Sequence, residues 1–318
     1  MSTKTNATAS PSAKRVTLRM AIDTTTPAAV LLTGLAPAVV GLLLAIEAQG
    51  AVSPVLAVLL LLIPSLMNAA TASLNDYFDY VNGADTADNV VSEQDGPLAY
   101  HQVEDPVFVL RFSIALLVAA ALMGCYVVYR AGLLPAWIGL LGGLIAITYS
   151  WGALPTSHLP IGEPLAGFSL GGLVPLGVYA GLTGQIDPMV LFRSIPMMLI
   201  VTQFMLVNNA CDIERDRAAG RRTLPILIGR PAAQRLSNVL NWVWMAQMLL
   251  VLALWYRPGL LVMSVALPLC LKGIFASFRY ERTRANKTPA TAAVAATALG
   301  VAVGYPLALL VSILLSGG

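Results

Sequence analysis

Charge is scarce in this chain. Lys, Arg, Asp and Glu make up 11% of its 318 residues, against roughly 25% in a soluble domain, which excludes an ordinary water-facing globular surface. The two histidines, His101 and His158, fall in loops and read as solvated side chains. Three scattered cysteines, Cys125, Cys211 and Cys270, exclude a disulfide framework or a zinc site and read as apolar packing. A net charge of +3 with no basic face excludes nucleic acid as a partner. What is abundant is apolar: 57% of residues are hydrophobic, and a polytopic helical membrane protein in a lipid bilayer is the class that remains.

Nine apolar runs of about bilayer length occur, at 27–47, 52–75, 107–129, 132–150, 163–182, 188–210, 236–256, 259–278 and 289–315. They are continuous rather than alternating, so β-barrel strands are excluded, and an all-α protein of nine transmembrane helices is expected. The partition is a flexible cytoplasmic tail, 1–19, and a single transmembrane domain, 20–318. Small residues crowd the last run (Ala292, Ala293, Ala295, Ala296, Gly300, Gly304), as close helix packing requires. With the N-terminus in the cytoplasm, 16 of the 19 Lys and Arg fall on the cytoplasmic side, and only Arg130, Arg193 and Arg257 lie opposite. An odd span count then puts the C-terminus on the other side of the cell membrane. Lys272 and Arg279 fit this anchoring.

The acids are as uneven as the bases. Eight lie between 76 and 105, whereas residues 80–110 contain no Lys or Arg. The 211–235 loop carries six Arg. The acidic loop is expected to close over the site by pairing with this Arg-rich one.

The second run ends in Asn75-Asp76-Tyr77-Phe78-Asp79 and continues to Gly83 and Asp85. On a helix Asn75, Asp76 and Asp79 share a face, and carboxylates this close repel unless a cation sits between them. Gly83 breaks the helix and lets Asp85 fold back. The sixth run ends in Asn208-Asn209-Ala210-Cys211-Asp212-Ile213-Glu214-Arg215-Asp216, then Gly220-Arg221-Arg222. Asn208, Asp212 and Asp216 recur every four residues as a polar stripe. Acids at a membrane edge point to function. Oxygen ligands without His or Cys select a hard ion, Mg2+ or Mn2+, with Asn75, Asp76, Asp79, Asp85, Asp212 and Asp216 as metal-ligand candidates. Two facing Asp-rich ends suit a diphosphate, a leaving group whose charge divalent ions neutralise. Asp76, Asp79, Asp212 and Asp216 are the candidate catalytic residues. Arg221 and Arg222 can donate to the anion, and Asn75, Asn208, Asn209 and Tyr149 join them as substrate-binding candidates. The aromatics Tyr77, Phe78, Tyr80, Tyr149 and Trp151 map to the same membrane face, where rings can stabilise a carbocation or form an interfacial belt.

These motifs resemble those of the UbiA superfamily of intramembrane prenyltransferases, nearest the 1,4-dihydroxy-2-naphthoate polyprenyltransferases of menaquinone synthesis. Asn75 to Asp85 is similar to that branch's first motif, and Asn208 to Leu224 to its second, with Arg221 in place of Lys. Tyr149 to Glu163 is similar to a third stretch. The resemblance implies nine helices around a cavity open to lipid. It also implies Mg2+, an isoprenyl diphosphate and an aromatic acceptor at the cytoplasmic end. Two departures bear on the acceptor. Arg19 is followed by Met20, not by the family's Pro, and the loop after the first motif has none of the family's basic residues. Two other functions stay open, the first sharing the fold and the Asp motifs of the resembled superfamily. One is a terpene cyclase, which would quench the cation within its own substrate. The other is a transporter, against which stands the placement of the acids at one face instead of the midplane.

Overall fold

The structure is a computed structural model that describes residues 15–316. Residues 1–14 of the expected tail lie outside the described residues. Thr17 caps a short helix, Leu18–Thr24, accepting a hydrogen bond from the Met20 N–H at 3.2 Å, so Leu18 and Arg19 are helical.

Long helices follow: α1 Pro27–Gln49, α2 Pro54–Val81, α3 Val107–Ala131, α4 Leu134–Ser150, α5 Gly162–Thr183, α6 Pro188–Cys211, α7 Arg230–Trp255, α8 Gly259–Arg279 and α9 Lys287–Ser316. Among the described residues, eight of these elements are long and apolar enough to cross a membrane. The expected ninth span, α4, is an apolar helix of 17 residues, against 25 in α3 and 22 in α5. It ends at Ser150 because the chain then extends through Trp151 into a Gly- and Pro-containing loop. The count of nine full spans is therefore corrected to eight and one shorter helix. α7 begins six residues before its apolar run, so Arg230 and Arg235 ride on the helix itself.

Two prolines shape the bundle. Leu31–Leu35 and Ser169–Leu173 are π-helical turns that precede Pro37 and Pro175. A proline ring in a regular helix clashes with the carbonyl four residues earlier and leaves it unbonded. A wider turn relieves both faults.

Packing is lopsided. The main core lies among α1 and α5–α9, with Val40, Leu44, Met197, Trp244, Met248, Ile274 and Tyr305 buried in one cluster. Gln203 on α6 adds a buried polar tie to α7, donating to Asn241 Oδ1 at 2.9 Å and accepting from Trp244 Nε1 at 3.0 Å. Glycines set the closest approaches. A Cβ on Gly171 of α5 would fall on the Met198 backbone of α6, and one on Gly304 of α9 would lie 2.9 Å from Ala266 Cβ of α8. The small residues of α9 thus do what their abundance led one to expect. Gly171→Ala is predicted to cost about 1–3 kcal/mol, since backbone cannot move aside as a side chain can. Thermal unfolding in detergent checks this, and an unchanged midpoint would contradict it.

On the other side the core is smaller, with Leu56 and Leu60 of α2 and Val127 of α3 buried in one cluster, and α2, α3 and α4 enclose space beside it. A Cβ on Gly124, Gly139 or Gly142 would meet nothing within 4 Å. The result is a cavity of about 1690 Å3, lined by residues of α1–α6 and α9, to which α7 and α8 contribute none.

Candidate functional site

The cavity is apolar along most of its length and polar at one end. Leu60, Ile63, Met67, Leu117, Ile138 and Leu173 line the apolar part, and Asn75, Asp76, Asp79, Asp85, Asn208 and Asn209 line the polar end.

The first motif folds as its spacing requires. Asn75 Nδ2 donates to Asp79 Oδ2 at 3.0 Å one turn along α2. After Val81, Gly83 takes φ +74°, a left-handed conformation glycine adopts without cost. The chain then doubles back, and the N–H groups of Ala84 and Asp85 both donate to the Asp79 carbonyl, at 2.8 and 3.0 Å. Asp85 is brought beside Asp79 by this reversal.

The second motif uses the same device. α6 stops at Cys211, and Asp212 is the hinge to a short helix, Ile213–Ala218. The expected stripe is therefore bent at Asp212, although the Asp216 N–H still donates to the Asp212 carbonyl at 2.8 Å. Gly220, at φ +74°, turns the chain back so that the Arg221 N–H donates to the Asp216 carbonyl at 2.9 Å. Asp212 and Asp216 are each only 1% exposed.

Two arginines join the motifs. Arg221 pairs with Asp79 of the first motif and, at 3.4 Å, with Asp216 of the second. Arg215 pairs with Asp85 at 2.5 Å and with Asp212 at 2.8 Å. At the entry to α9, Arg284 of the preceding turn reaches Asp212 and Asp95 at 2.5 Å each, and Lys287, the first residue of the helix, reaches Asp95 and, at 2.6 Å, Asp212. Five carboxylates (Asp79, Asp85, Asp95, Asp212, Asp216) thus meet four basic side chains, and with Asp76, which makes no ion pair among the described residues, two formal negative charges are in excess. Asp76 Oδ2 and Asp216 Oδ2 are buried with no hydrogen-bond partner among the described residues. Orphaned carboxylate oxygens and an excess of negative charge fit a hard divalent cation. Among the described residues, however, no three Asp, Glu, His or Cys are already gathered as a metal cluster. The arginines hold the two motifs together instead.

Burial dominates the protonation of this end. It pushes Asp85 up to about 6 against the pull of Arg215, and Asp216 up to about 6 against Arg221 and Arg215. Burial works the same way on Asp95, but Lys287 and Arg284 outweigh it and hold that carboxyl below its usual value. His158 is pushed down by its burial and by Arg221. For Asp85 and Asp216 the folded form keeps protons between about 3.8 and about 6 that the unfolded chain releases. Cation-free stability therefore falls as pH rises through that window, and a divalent ion held by these carboxylates would bind more tightly. The Mg2+ concentration for half-maximal binding is expected to be several-fold higher at pH 5.5 than at pH 7.5. A Mn2+ binding titration at the two pH values checks this, and equal affinities would contradict it.

The other expected residues divide. Tyr149 lines the cavity, with Asn75 beside it held by Ser150 Oγ at 3.4 Å. Asn209 donates to Glu163 Oε1 at 2.9 Å, so Glu163 orients a cavity residue as well as starting α5. Tyr77 and Tyr80 pack on Met20, Leu98 and Val103 away from the cavity, and Trp151 is exposed. Arg222 is exposed, and its backbone N–H donates to the His158 carbonyl at 2.7 Å. The ion pair that joins the acidic loop to the 215–235 segment is Asp85–Arg215, and Asp95 further along the loop pairs with Arg284 and Lys287 at the entry to α9. Asp95, Arg284 and Lys287 were missed as site residues because their pairing spans about 190 positions. One signal was there to find. Lys287 opens α9 with no acid in its first turn, a cation at the positive end of the helix dipole, so it needs an anion from elsewhere.

An all-α bundle with paired Asp-rich helix ends at one end of an apolar cavity defines a class of membrane protein, and comparison identifies it. The UbiA prenyltransferase family model matches residues 34–297, and the chain belongs to that family. It is 32% identical over 202 residues to 1,4-dihydroxy-2-naphthoate octaprenyltransferase of Bacillus subtilis, covering 63% of each chain. To the Escherichia coli protein of the same name it is 30% identical over 195 residues, 59% of this chain and 62% of that one. The rat UbiA prenyltransferase domain-containing protein 1 is 27% identical over 208 residues, 65% of this chain and 60% of that one. The chain thus spans 60–63% of the length of these curated relatives. Among solved structures, a UbiA homolog from Archaeoglobus fulgidus bound to DMAPP and Mg2+ superposes with a TM-score of 0.61 at 19% identity, over 91% of this chain and 98% of that one. The apo UbiA homolog from Aeropyrum pernix K1 gives 0.61 at 19% identity, over 95% and 100%. The fold is an all-α, multi-pass membrane fold of the UbiA type.

Proposed function

We propose that the chain is a Mg2+-dependent prenyltransferase that moves an isoprenyl group from an allylic diphosphate to a small aromatic acceptor, with 1,4-dihydroxy-2-naphthoate, and hence menaquinone synthesis, as the particular case. The observation that carries this reading is the meeting, at the polar end of one long apolar cavity, of Asp76, Asp79 and Asp85 of the first motif with Asn208, Asn209, Arg215 and Arg221 of the second, whose Asp212 and Asp216 lie behind the lining and are tied to it through Arg215 and Arg221. The naphthoate acceptor is supported by relatives of that name in Bacillus subtilis and Escherichia coli.

Asp76, Asp79 and Asp85 on one side and Asp212 and Asp216 on the other would hold Mg2+. When bound, Mg2+ supplies neutralisation of the diphosphate oxygens and so eases departure of the leaving group. Arg221 and Arg215 already lie between the motifs and can turn their N–H donors from carboxylate to phosphate. The allylic C–O bond breaks with its electron pair going to diphosphate. A ring carbon of the acceptor then bonds to the allylic carbon and gives up its proton to the released diphosphate. Tyr149 offers a ring to the cation, Asn75, Asn208 and Asn209 offer amides to the substrates, and the apolar walls keep water from capturing the cation.

With α4, at about 17 residues long enough to cross, taken as a ninth crossing, the bias of Lys and Arg toward one face supports a cytoplasmic N-terminus, both Asp motifs on that side and the C-terminus opposite. Reporter fusions at the two ends are expected to report opposite sides, and the same side for both would contradict the arrangement.

The reaction is tested with purified protein, Mg2+, radiolabelled allylic diphosphates of several chain lengths and a panel of naphthoate and phenolic acceptors. A prenylated naphthoate is expected. A cyclised hydrocarbon formed without acceptor, or no consumption of diphosphate, would overturn the reading.

A further inference from the structure

We propose that Arg284 and Lys287, at the entry to α9, belong to the diphosphate-binding site, and that Asp95 is an internal anion that occupies them until diphosphate displaces it. The inference rests on the functional reading above and adds residues that neither motif contains.

Lys287 is a cation that its position does not favour. It opens a 30-residue helix, is 7% exposed, and has no acid in its first turn. A buried ammonium at the positive end of a helix dipole is stable only against anions brought from elsewhere. Here they are Asp95 and Asp212.

Asp95 is held as a phosphate group would be. Its carboxylate accepts from the Lys287 ammonium, from both terminal nitrogens of Arg284, at 3.4 and 2.5 Å, and from the Val91 N–H at 3.1 Å. An ammonium, a forked guanidinium and a backbone N–H converging on one small anion form a donor set that suits phosphate oxygens equally well. Asp95 and Lys287 both line the large cavity, beside Asp85, Arg215 and Arg221, so a diphosphate at its polar end lies within their reach. The loop that carries Asp95 has no Lys or Arg of its own.

Asp212 gives the exchange a consequence. It is held by three cations, Arg215, Arg284 and Lys287. A diphosphate that draws Lys287 and Arg284 toward itself uncovers Asp212 oxygens for a divalent ion. Anion binding and cation binding are thereby coupled through one carboxylate.

The alternative role for these residues is a latch that only fixes the loop to α9. The two roles differ in sign. If Asp95 competes with the ligand, Asp95→Asn tightens binding and Lys287→Gln weakens it. If the contact is a latch, both variants loosen the same loop and move affinity together. The experiment is titration calorimetry of inorganic diphosphate into the full chain in detergent with Mg2+. Asp95→Asn is expected to bind several-fold more tightly and Lys287→Gln roughly 10-fold or more weakly, the size of a charge-assisted hydrogen bond. Lys287→Arg is expected to stay within about threefold of the parent, since the charge and the donors are kept. Should Lys287→Gln not fold, the sign of the Asp95→Asn change decides, because Asp85–Arg215 still anchors that loop. Shifts in the same direction, or an Asp95→Asn variant that binds no more tightly, overturn the inference while leaving the prenyltransferase reading standing. A parent chain that binds no diphosphate overturns both.

Discussion

Asp79→Ala and Asp212→Ala are each expected to lower prenyl transfer on the order of 1,000-fold, and EDTA to abolish it until Mg2+ is restored. The size follows from what is removed. Divalent ions on a departing diphosphate contribute several kcal/mol to the transition state, and each 1.36 kcal/mol is tenfold in rate. Asp79 lies on α2 and Asp212 just past the end of α6, yet their motifs are joined by the Asp79–Arg221–Asp216 and Asp85–Arg215–Asp212 ion pairs, so on the proposed reading each variant would take a ligand from one shared site. Both proteins are expected to fold. Without Asp212, Arg215 retains Asp85 while Arg284 and Lys287 retain Asp95. Without Asp79, Arg221 retains Asp216. Turnover rates on matched, folded samples check the claim, and full activity in either variant or in chelator would sink it.

Arg221→Met has a different signature. Arg221 is the one cation in ion-pair contact with Asp79, and the same holds for Asp216, among the described residues, and both acids are buried. Removing one partner of a buried ion pair leaves an uncompensated charge, at about 3–5 kcal/mol. The loss is expected in the Mg2+-free protein, and millimolar Mg2+ is expected to restore much of it by supplying the missing positive charge. The parent chain should gain less from Mg2+, because Arg221 already does that work. Thermal unfolding of both proteins with and without Mg2+ provides the comparison, and an equal gain in the two would contradict it.

Much of this was legible before any coordinates. Continuous apolar runs mark helices because a bilayer leaves backbone groups no other partner. The i, i+4 spacing of Asn75 and Asp79 and the break at Gly83 are local properties, and both are realised. Less legible was what depends on distant contacts. α4 is short because of where the following loop extends, which hydropathy alone does not report. The bend at Asp212 interrupts a stripe that a uniform helix would have kept straight. Aromatics at one membrane face look equivalent in sequence. Only packing on Met20, Leu98 and Val103 takes Tyr77 and Tyr80 away and leaves Tyr149 in the cavity. The role of α9 was hidden in the same way, since a Lys flanking a span reads as an anchor until the carboxylates that bury it are seen.

The central claim is that the carboxylates of α2 and α6 form one site that holds a divalent cation and a diphosphate together. Electron paramagnetic resonance of Mn2+ added to the purified chain, with and without inorganic diphosphate, tests it most directly. A bound Mn2+ signal that changes on adding diphosphate is expected in the parent, and loss of that change is expected in Asp79→Ala and in Asp212→Ala alike. A diphosphate-sensitive signal that survives intact in either variant would show that the two motifs do not share a site.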